Sequence, residues 1–452
     1  MNVTLLGATD TVTGSRVVVR TDRAQVLVDC GLFQGLKVHR LRNWDRFPVD
    51  PASLDAVVLT HAHVDHTGYL PALVRDGFAG RVWCTSGTAA LSAILLPDAG
   101  FLQEEEAKYR NRTGTTRHHP ALPLYTADDG RAVLPHLAPV GFGAPIEVAP
   151  GMTATFTPAG HVLGAASVHL DDGRRTVLVS GDLGRSTDLL MKPPQVPPGA
   201  DLVVIESTYG DRTHPAVDLG AELAAVVIDT VARGGTLLIP AFAVGRAQLV
   251  LHLLATLTDA GAIPAVPVWV DSPMATDATR IFVEHAGEHR LSPEACARMC
   301  AGVRFVRTVD ESKALDAGGG PRIVISASGM ATGGRVVHHL KAMVGDPRNT
   351  VCLTGFQAAG TRGETLAGGA TAIKIHGVYW PVAAKVVQLR GSSSHADQGG
   401  LLDWLGALPR RPDRVAVVHG EPLAQDTLRR RITDRFGYDV TVPRLLEPIE
   451  VG

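Results

Sequence analysis

Three imidazoles and a carboxylate fall within six consecutive positions at His61-Ala62-His63-Val64-Asp65-His66. They follow directly on the apolar run Ala56-Val57-Val58-Leu59-Thr60. Imidazole nitrogen and carboxylate oxygen are donors that Zn²⁺ accepts in hydrolytic sites. In a tight loop alternate side chains face one side, so His61 and His63 can hold one ion. Asp65 and His66, further round the turn, can hold a second. A histidine-rich surface loop is the ordinary alternative, and four potential ligands in this order speak against it. Two ions need more donors. His161 in Ala159-Gly160-His161-Val162-Leu163-Gly164, Asp182 in Ser180-Gly181-Asp182-Leu183-Gly184 and His419 in Val418-His419-Gly420-Glu421 each stand at the end of a β-rich run. Alone, each reads as a turn residue beside glycines. Beside the first motif they become ligand candidates. Asp182, with two carboxylate oxygens, is the candidate to bridge two zincs.

Such residues need rigid elements to aim them. Short strands read at 17–19, 26–28, 56–60, 153–157, 176–180 and 202–206. The later ones end directly in polar or ionisable residues, where loops held by a sheet carry chemistry. After Tyr209 the texture changes. Helical stretches at 219–232 and 245–258 alternate with strands at 236–240, 266–270, 323–326 and 350–355. That alternation predicts a parallel sheet. Strands at 385–389 and 414–418 then lead into His395-Ala396-Asp397 and His419-Gly420-Glu421, resembling the first region again. The expected organisation is a host domain in two parts, 1–208 and 385–452, split by an inserted domain over 209–384.

The chain has 452 residues, 45% of them hydrophobic, so its size suits one very large domain or two ordinary ones with sizeable cores. A net charge of -2 excludes a protein coated in basic residues. It leaves nucleic acid open, because a local cleft with Arg or metal can bind a backbone. Five cysteines at irregular spacing, Cys30, Cys84, Cys296, Cys300 and Cys352, do not form a disulfide framework. A reducing cytoplasm is therefore the expected compartment. The N-terminus has no secretory signal pattern, and no apolar stretch is long enough to span a membrane.

In combination the motifs resemble the metallo-β-lactamase superfamily: HxHxDH, a later single His, SGDLG, and Asp29 in Val28-Asp29-Cys30-Gly31. Further stretches resemble its β-CASP branch of RNA-processing nucleases. Ile205-Glu206-Ser207-Thr208-Tyr209-Gly210, Ser394-His395-Ala396-Asp397 and Val418-His419-Gly420 are similar to motifs A, B and C of that family. The segments beginning Pro240-Ala241-Phe242, Asp271-Ser272-Pro273 and Ser326-Ala327-Ser328 are similar to signature stretches of its insertion. The resemblance covers nearly the whole chain. It implies an αββα sandwich of α/β class with an inserted α/β domain, the metals at the strand ends and a cleft for a nucleic acid strand. His61, His63 and His161 would hold one zinc, and Asp65, His66 and His419 the other. Asp182 would bridge, and Asp29 would orient a ligand imidazole. Glu206 would pair with His395 and keep it protonated as the acid. Asp65, His395 and Glu206 thus carry the expected catalysis. The expected reaction is hydrolysis of RNA, endonucleolytic, with 5′ exonucleolytic action as a further mode.

Two local departures from the family pattern stand out. An aromatic is missing before motif B, where the chain reads Gly391-Ser392-Ser393-Ser394. A usual Gly-Thr-Leu-Gly-Arg stretch reads Gly360-Thr361-Arg362-Gly363-Glu364. Arg246, at a helix start, together with Ser326, Ser328 and Arg362, are candidate RNA contacts. His285, His289, Cys296 and Cys300 read as helix faces rather than a further zinc site, and His338-His339 as solvent or packing histidines. Two rival functions remain: a small-molecule hydrolase such as a lactonase or thioesterase, and a noncatalytic RNA-processing scaffold. RNA is the expected partner, a membrane is not, and a homodimer is allowed.

Overall fold

In the computed structural model the described residues are 1–355, 357 and 360–452. The chain divides into two units: Met1–Thr213 with His395–Gly452, and His214–Ser394.

The first unit holds two sheets of seven strands each among the described residues. One runs in the order Pro448–Glu450, Asn2–Leu5, Val17–Arg20, Gln25–Val28, Ala56–Val58, Arg81–Thr85, Leu137–Val140. The other runs Val440–Thr441, Arg414–Val417, Leu202–Ile205, Thr176–Val179, Ala166–Asp171, Met152–Pro158, Ile146–Ala149. Successive strand residues point to opposite faces. Val17, Val19, Val26, Val28, Ala56 and Val58 therefore meet Phe156, Val168, Leu170, Val177, Val179 and Val204 in one core between the sheets. The intervening Val18, Leu27 and Val57 pack the other way, against Leu70, Leu73, Phe78 and Leu96 from the helices Leu70–Arg75 and Ser86–Thr113 and their neighbours. Helices Gln398–Gly406 and Pro422–Phe436 complete an αββα sandwich behind the second sheet. Strands buried on both faces explain why these runs read as continuous Val, Leu and Ala.

The second unit is a six-stranded parallel sheet among the described residues. Its order is Val303–Phe305, Val268–Val270, Arg322–Ser326, Thr236–Pro240, Thr350–Thr354, Lys385–Leu389. The host was expected to resume at residue 385. Instead Lys385–Leu389 pairs in parallel with Thr350–Thr354 as an edge strand of this sheet, so the first unit resumes only at His395. An antiparallel hairpin, Ala372–Ile375 with Val378–Pro381, accompanies the sheet. Both central residues of its turn have positive φ, His376 at 48° and Gly377 at 85°, as a two-residue turn matching strand twist requires.

A buried ionic network ties three segments of this unit together. Asp271 follows strand Val268–Val270 and accepts from His339 Nε2 at 2.8 Å, Ser312 Oγ at 2.5 Å and Arg335 Nη1 at 2.5 Å. His339 Nδ1 lies 2.6 Å from Asp316 Oδ1. Burial acts to lower the pKa of His339, yet the two carboxylates prevail and push it up to about 9. A histidine raised above its unfolded value near 6.5 stabilises fully below that pH and loses its contribution as pH climbs towards 9. His339→Gln should therefore cost on the order of 3 kcal/mol of urea-unfolding stability at pH 7, and much less at pH 9.5. An equal penalty at both pH values would show that the charge on His339 contributes nothing.

Candidate metal centre

Asp29 ends strand Gln25–Val28 and His61 lies just past its parallel neighbour Ala56–Val58, so both sit on the same sheet edge. Asp29 accepts from Thr60 N at 2.8 Å and Thr60 Oγ1 at 2.8 Å. Its Oδ2 also lies 2.7 Å from His66 Nδ1, turning the opposite ring nitrogen of His66 inward. The short helix Val64–Thr67 carries Asp65 and His66 round the turn. Its backbone is gripped from outside: Ser15 N donates to Asp65 O, Cys30 N to His66 O and Leu32 N to Val64 O. A Cβ on Gly31 would meet Asp65 O at 1.6 Å, so glycine alone permits this approach. Arg16 fixes the same loop by donating from Nε to Gly31 O at 2.9 Å, its buried guanidinium 4.2 Å from the centre of the Tyr69 ring.

Two groups of donor atoms converge. His61 Nε2 is 3.1 Å and His161 Nε2 3.3 Å from His63 Nδ1. His66 Nε2 is 3.1 Å from His419 Nε2, which lies 3.7 Å from Asp65 Oδ2. Between the groups stands Asp182. Its Oδ2 faces His61 and His161 at 3.6 and 3.7 Å, and its Oδ1 faces His66 and His419 at 3.3 and 3.6 Å. Burial holds His61 and His161 well below the ordinary imidazole range, so both are neutral with lone pairs available. Burial alone would raise Asp182, but His419, His66 and His61 hold its carboxyl well below the usual range. Zn–N bonds of about 2.0–2.1 Å space tetrahedral donors about 3.3 Å apart. The nitrogen separations match that spacing, and Asp182 Oδ1 is buried without a hydrogen bond. This donor set fits a metal ion.

His395, its side chain 20% exposed, sits at the rim. An antiparallel bridge to Gly184 and the hydrogen bond from Ala396 N to Leu183 O fix its backbone beside Asp182. Its Nδ1 is 3.2 Å from Glu206 Oε1 and 3.9 Å from Asp182 Oδ2. Glu206 is buried, and accepts from Leu183 N on Oε1 and from Thr208 N on Oε2.

Comparison with known proteins agrees with this geometry. Residues 10–214 match the metallo-beta-lactamase superfamily and residues 247–366 the Beta-Casp domain. Residues 379–443 match the Zn-dependent metallo-hydrolase RNA specificity domain. Ribonuclease TTHA0252 of Thermus thermophilus is 37% identical across the whole of both chains. The chain belongs to the β-CASP ribonucleases of the metallo-β-lactamase superfamily. Transcription termination factor FttA of Methanocaldococcus jannaschii is 31% identical over all of this chain and 72% of its own. A crystal structure of a protein of unknown function from Enterococcus faecalis shares the fold, with a TM-score of 0.54, 13% identity and 99% of each chain covered. As a β-CASP enzyme the protein is a metal-dependent nuclease.

The candidate RNA contacts of this β-CASP chain fall elsewhere, in the second unit. Arg246 opens helix Arg246–Asp259 with Nη2 3.4 Å from Ser394 Oγ. Ser326 is buried and donates to Asp271 O, while Ser328 Oγ accepts from Thr332 N. Arg362 donates to Lys374 O, Ala331 O and Thr332 O, clasping a hairpin strand to a loop. Where the family aromatic is missing, Ser392 donates to Leu389 O and closes the edge strand. His289 lies 3.0 Å from Phe282 O and Cys296 is buried, and neither belongs to any cluster able to hold a metal among the described residues.

Thr60, Thr208 and Arg16 escaped sequence reasoning. Thr60 reads as an ordinary strand residue, and only the register against Asp29 reveals it. Thr208 Oγ1 lies 3.3 Å from His419 Nδ1, a contact spanning 211 positions.

Asp29→Ala should lower metal affinity roughly 10- to 100-fold in competition with a chelator, because His66 loses the carboxylate that orients it. A variant binding metal as tightly as wild type would remove Asp29 from that role.

Proposed function

We propose that this β-CASP enzyme binds two zinc ions and hydrolyses RNA phosphodiester bonds endonucleolytically. The observation that carries the reading is Asp182, whose two oxygens face two separate donor groups at 3.3–3.7 Å. His61, His63, His161 and Asp182 would hold one ion, and Asp65, His66, His419 and Asp182 the other. When bound, such a pair supplies Lewis acidity, lowering the pKa of a water and offsetting phosphate charge. The protein's own part is orientation and proton transfer. Asp29 and Thr60 fix the His66 ring, and Thr208 lies against His419. Glu206, anchored by two backbone N–H groups, faces His395 Nδ1 and favours its imidazolium. The partly exposed rim position then lets the other ring nitrogen of His395 donate a proton to the leaving ribose oxygen, which departs poorly as an alkoxide. A lactonase or thioesterase reading would require none of the insertion motifs, and a noncatalytic scaffold would have lost candidate ligands that this sequence retains.

Elemental analysis of the pure protein should find about two zinc ions per chain, since seven donors exceed what one tetrahedral ion needs. Asp182→Ala should lower that content and abolish cleavage of a 5′-labelled RNA. Near-normal turnover with both zincs retained would exclude the bridge. His395→Ala should keep the metals and slow RNA cleavage by roughly 10²–10⁴-fold. Its defect should shrink on a nitrophenyl phosphodiester, whose leaving group needs no proton. Equal losses on both substrates would count against His395 as the acid. Internal fragments from a long 5′-labelled RNA would support endonucleolytic action, and release of 5′ mononucleotides alone would overturn it.

A further inference from the structure

The hairpin Ala372–Ile375/Val378–Pro381 carries an exposed cation and an exposed aromatic that the metal centre does not use. Strand alternation sets its two sides. Ile373 and Ile375 are buried in the core of the second unit, while their neighbours Lys374 and Tyr379, paired across the strands, face outward. Tyr379 is 69% exposed although it is large and apolar, and Lys374 Nζ lies 5.7 Å from its ring centre. On the opposite side Trp380 pairs with Ile373 and packs, partly buried, against the core, and Lys341 Nζ lies 5.2 Å from the centre of its ring. The His338 and His376 rings, both on exposed residues, lie 5.3 Å apart. The hairpin is also held in place, because Arg362 binds Lys374 O at one end and Ala331 O and Thr332 O at the other.

The charge pattern around it is one-sided. Residues 317–345 and 365–396 contain no Asp or Glu, although the chain has 45 of them and an even spread would put several there. The first segment supplies His338 and Lys341, and the second supplies the whole hairpin. Glu364 just precedes the second segment. The imidazole of His376 is pushed below its ordinary range by partial burial and by His338, Arg362 and Lys341, which marks the local field as positive. Lysines without neighbouring carboxylates attract phosphates, and an exposed tyrosine edged by a lysine offers a base a stacking surface.

We infer that Lys374 and Tyr379 on the outer side of the hairpin, with Lys341 at its flank, form a sequence-tolerant platform for single-stranded RNA, separate from the residues of the metal centre. Two phosphates lie against the lysines and one base stacks on Tyr379. The inference rests on the reading of the enzyme as a ribonuclease and adds a second point of substrate attachment.

The test measures binding of the zinc-loaded protein to a fluorescent single-stranded oligouridine of about 16 nucleotides, 2′-O-methylated and phosphorothioate-linked to resist cleavage. The variant Lys341→Ala/Lys374→Ala/Tyr379→Ala should bind roughly 10- to 100-fold more weakly. The slope of log affinity against log salt should become shallower by roughly 1.4, about 0.7 for each lost phosphate contact. The pair Lys341→Glu/Lys374→Glu, which keeps the tyrosine, should weaken binding at least tenfold and serves if the triple variant misfolds. Melting temperature and zinc content verify the fold of each. Unchanged affinity and slope, in a protein whose wild type cleaves RNA, would overturn the platform and leave the ribonuclease reading standing. A changed oligomeric state with unchanged RNA affinity would overturn it in favour of a protein-docking face. If wild type binds no RNA at all, the ribonuclease reading fails and the platform with it.

Discussion

Ring nitrogens that face one another at 3.1–3.3 Å inside a protein repel unless something positive lies between them. One proton can satisfy one such pair, but His61, His63 and His161 bring three nitrogens to a single focus. Burial keeps His61 and His161 neutral, so protonation is not how the repulsion is relieved. A cation at the focus satisfies all of them at once, with Asp182 Oδ2 beside them, while the buried, unbonded Oδ1 faces the second group of donors at His66 and His419. Unsatisfied polar groups in such surroundings are costly, so the rest of the unit must hold them in place by force of packing.

The sandwich does this through parallel strands. Gln25–Val28 and Ala56–Val58 run side by side, as do Thr176–Val179, Leu202–Ile205 and Arg414–Val417. Parallel neighbours finish on the same edge, and each strand delivers one functional group there or just beyond: Asp29, His61, Asp182, Glu206 and His419. The valines and leucines behind them, buried between and behind the sheets, give each strand end a fixed address. The side chains then need only short tethers, such as Thr60 to Asp29, to reach their final orientation.

Much of this could be read from residue order. The buried strands appear as apolar runs ending in ionisable residues, and the ligand candidates stand at those ends. The parallel sheet of the second unit was visible in the alternation of strand-like and helical stretches. Four things were hidden. Lys385–Leu389 looks like a return to the host, because edge membership depends on which strand lies beside it and not on local composition. The long helix Ser86–Thr113 carries Pro97 and almost no amphipathic periodicity, since its surroundings change along its length. Thr60, Thr208 and Arg16 act through contacts that only the fold creates, and nothing in their local spacing distinguishes them from ordinary strand or loop residues. The hairpin was hidden because its turn uses His376 where Asn or Asp is the familiar signal.

His66 and His419 meet across 353 positions of chain, with the whole second unit between them. During synthesis, His61, His63, His66, His161 and Asp182 emerge long before their last partners. A growing polypeptide that ends before residue 395 has neither His395 nor His419, and lacks the strand Arg414–Val417 that lies beside Leu202–Ile205. The strand Pro448–Glu450, which pairs with Asn2–Leu5, arrives later still. On the ribosome the nascent chain therefore carries the site without His395 and His419. Completion waits for a long-range closure, slow by the entropy of joining distant segments. Until those segments arrive, the growing chain cannot bring His419 to His66 or give Asn2–Leu5 its partner strand.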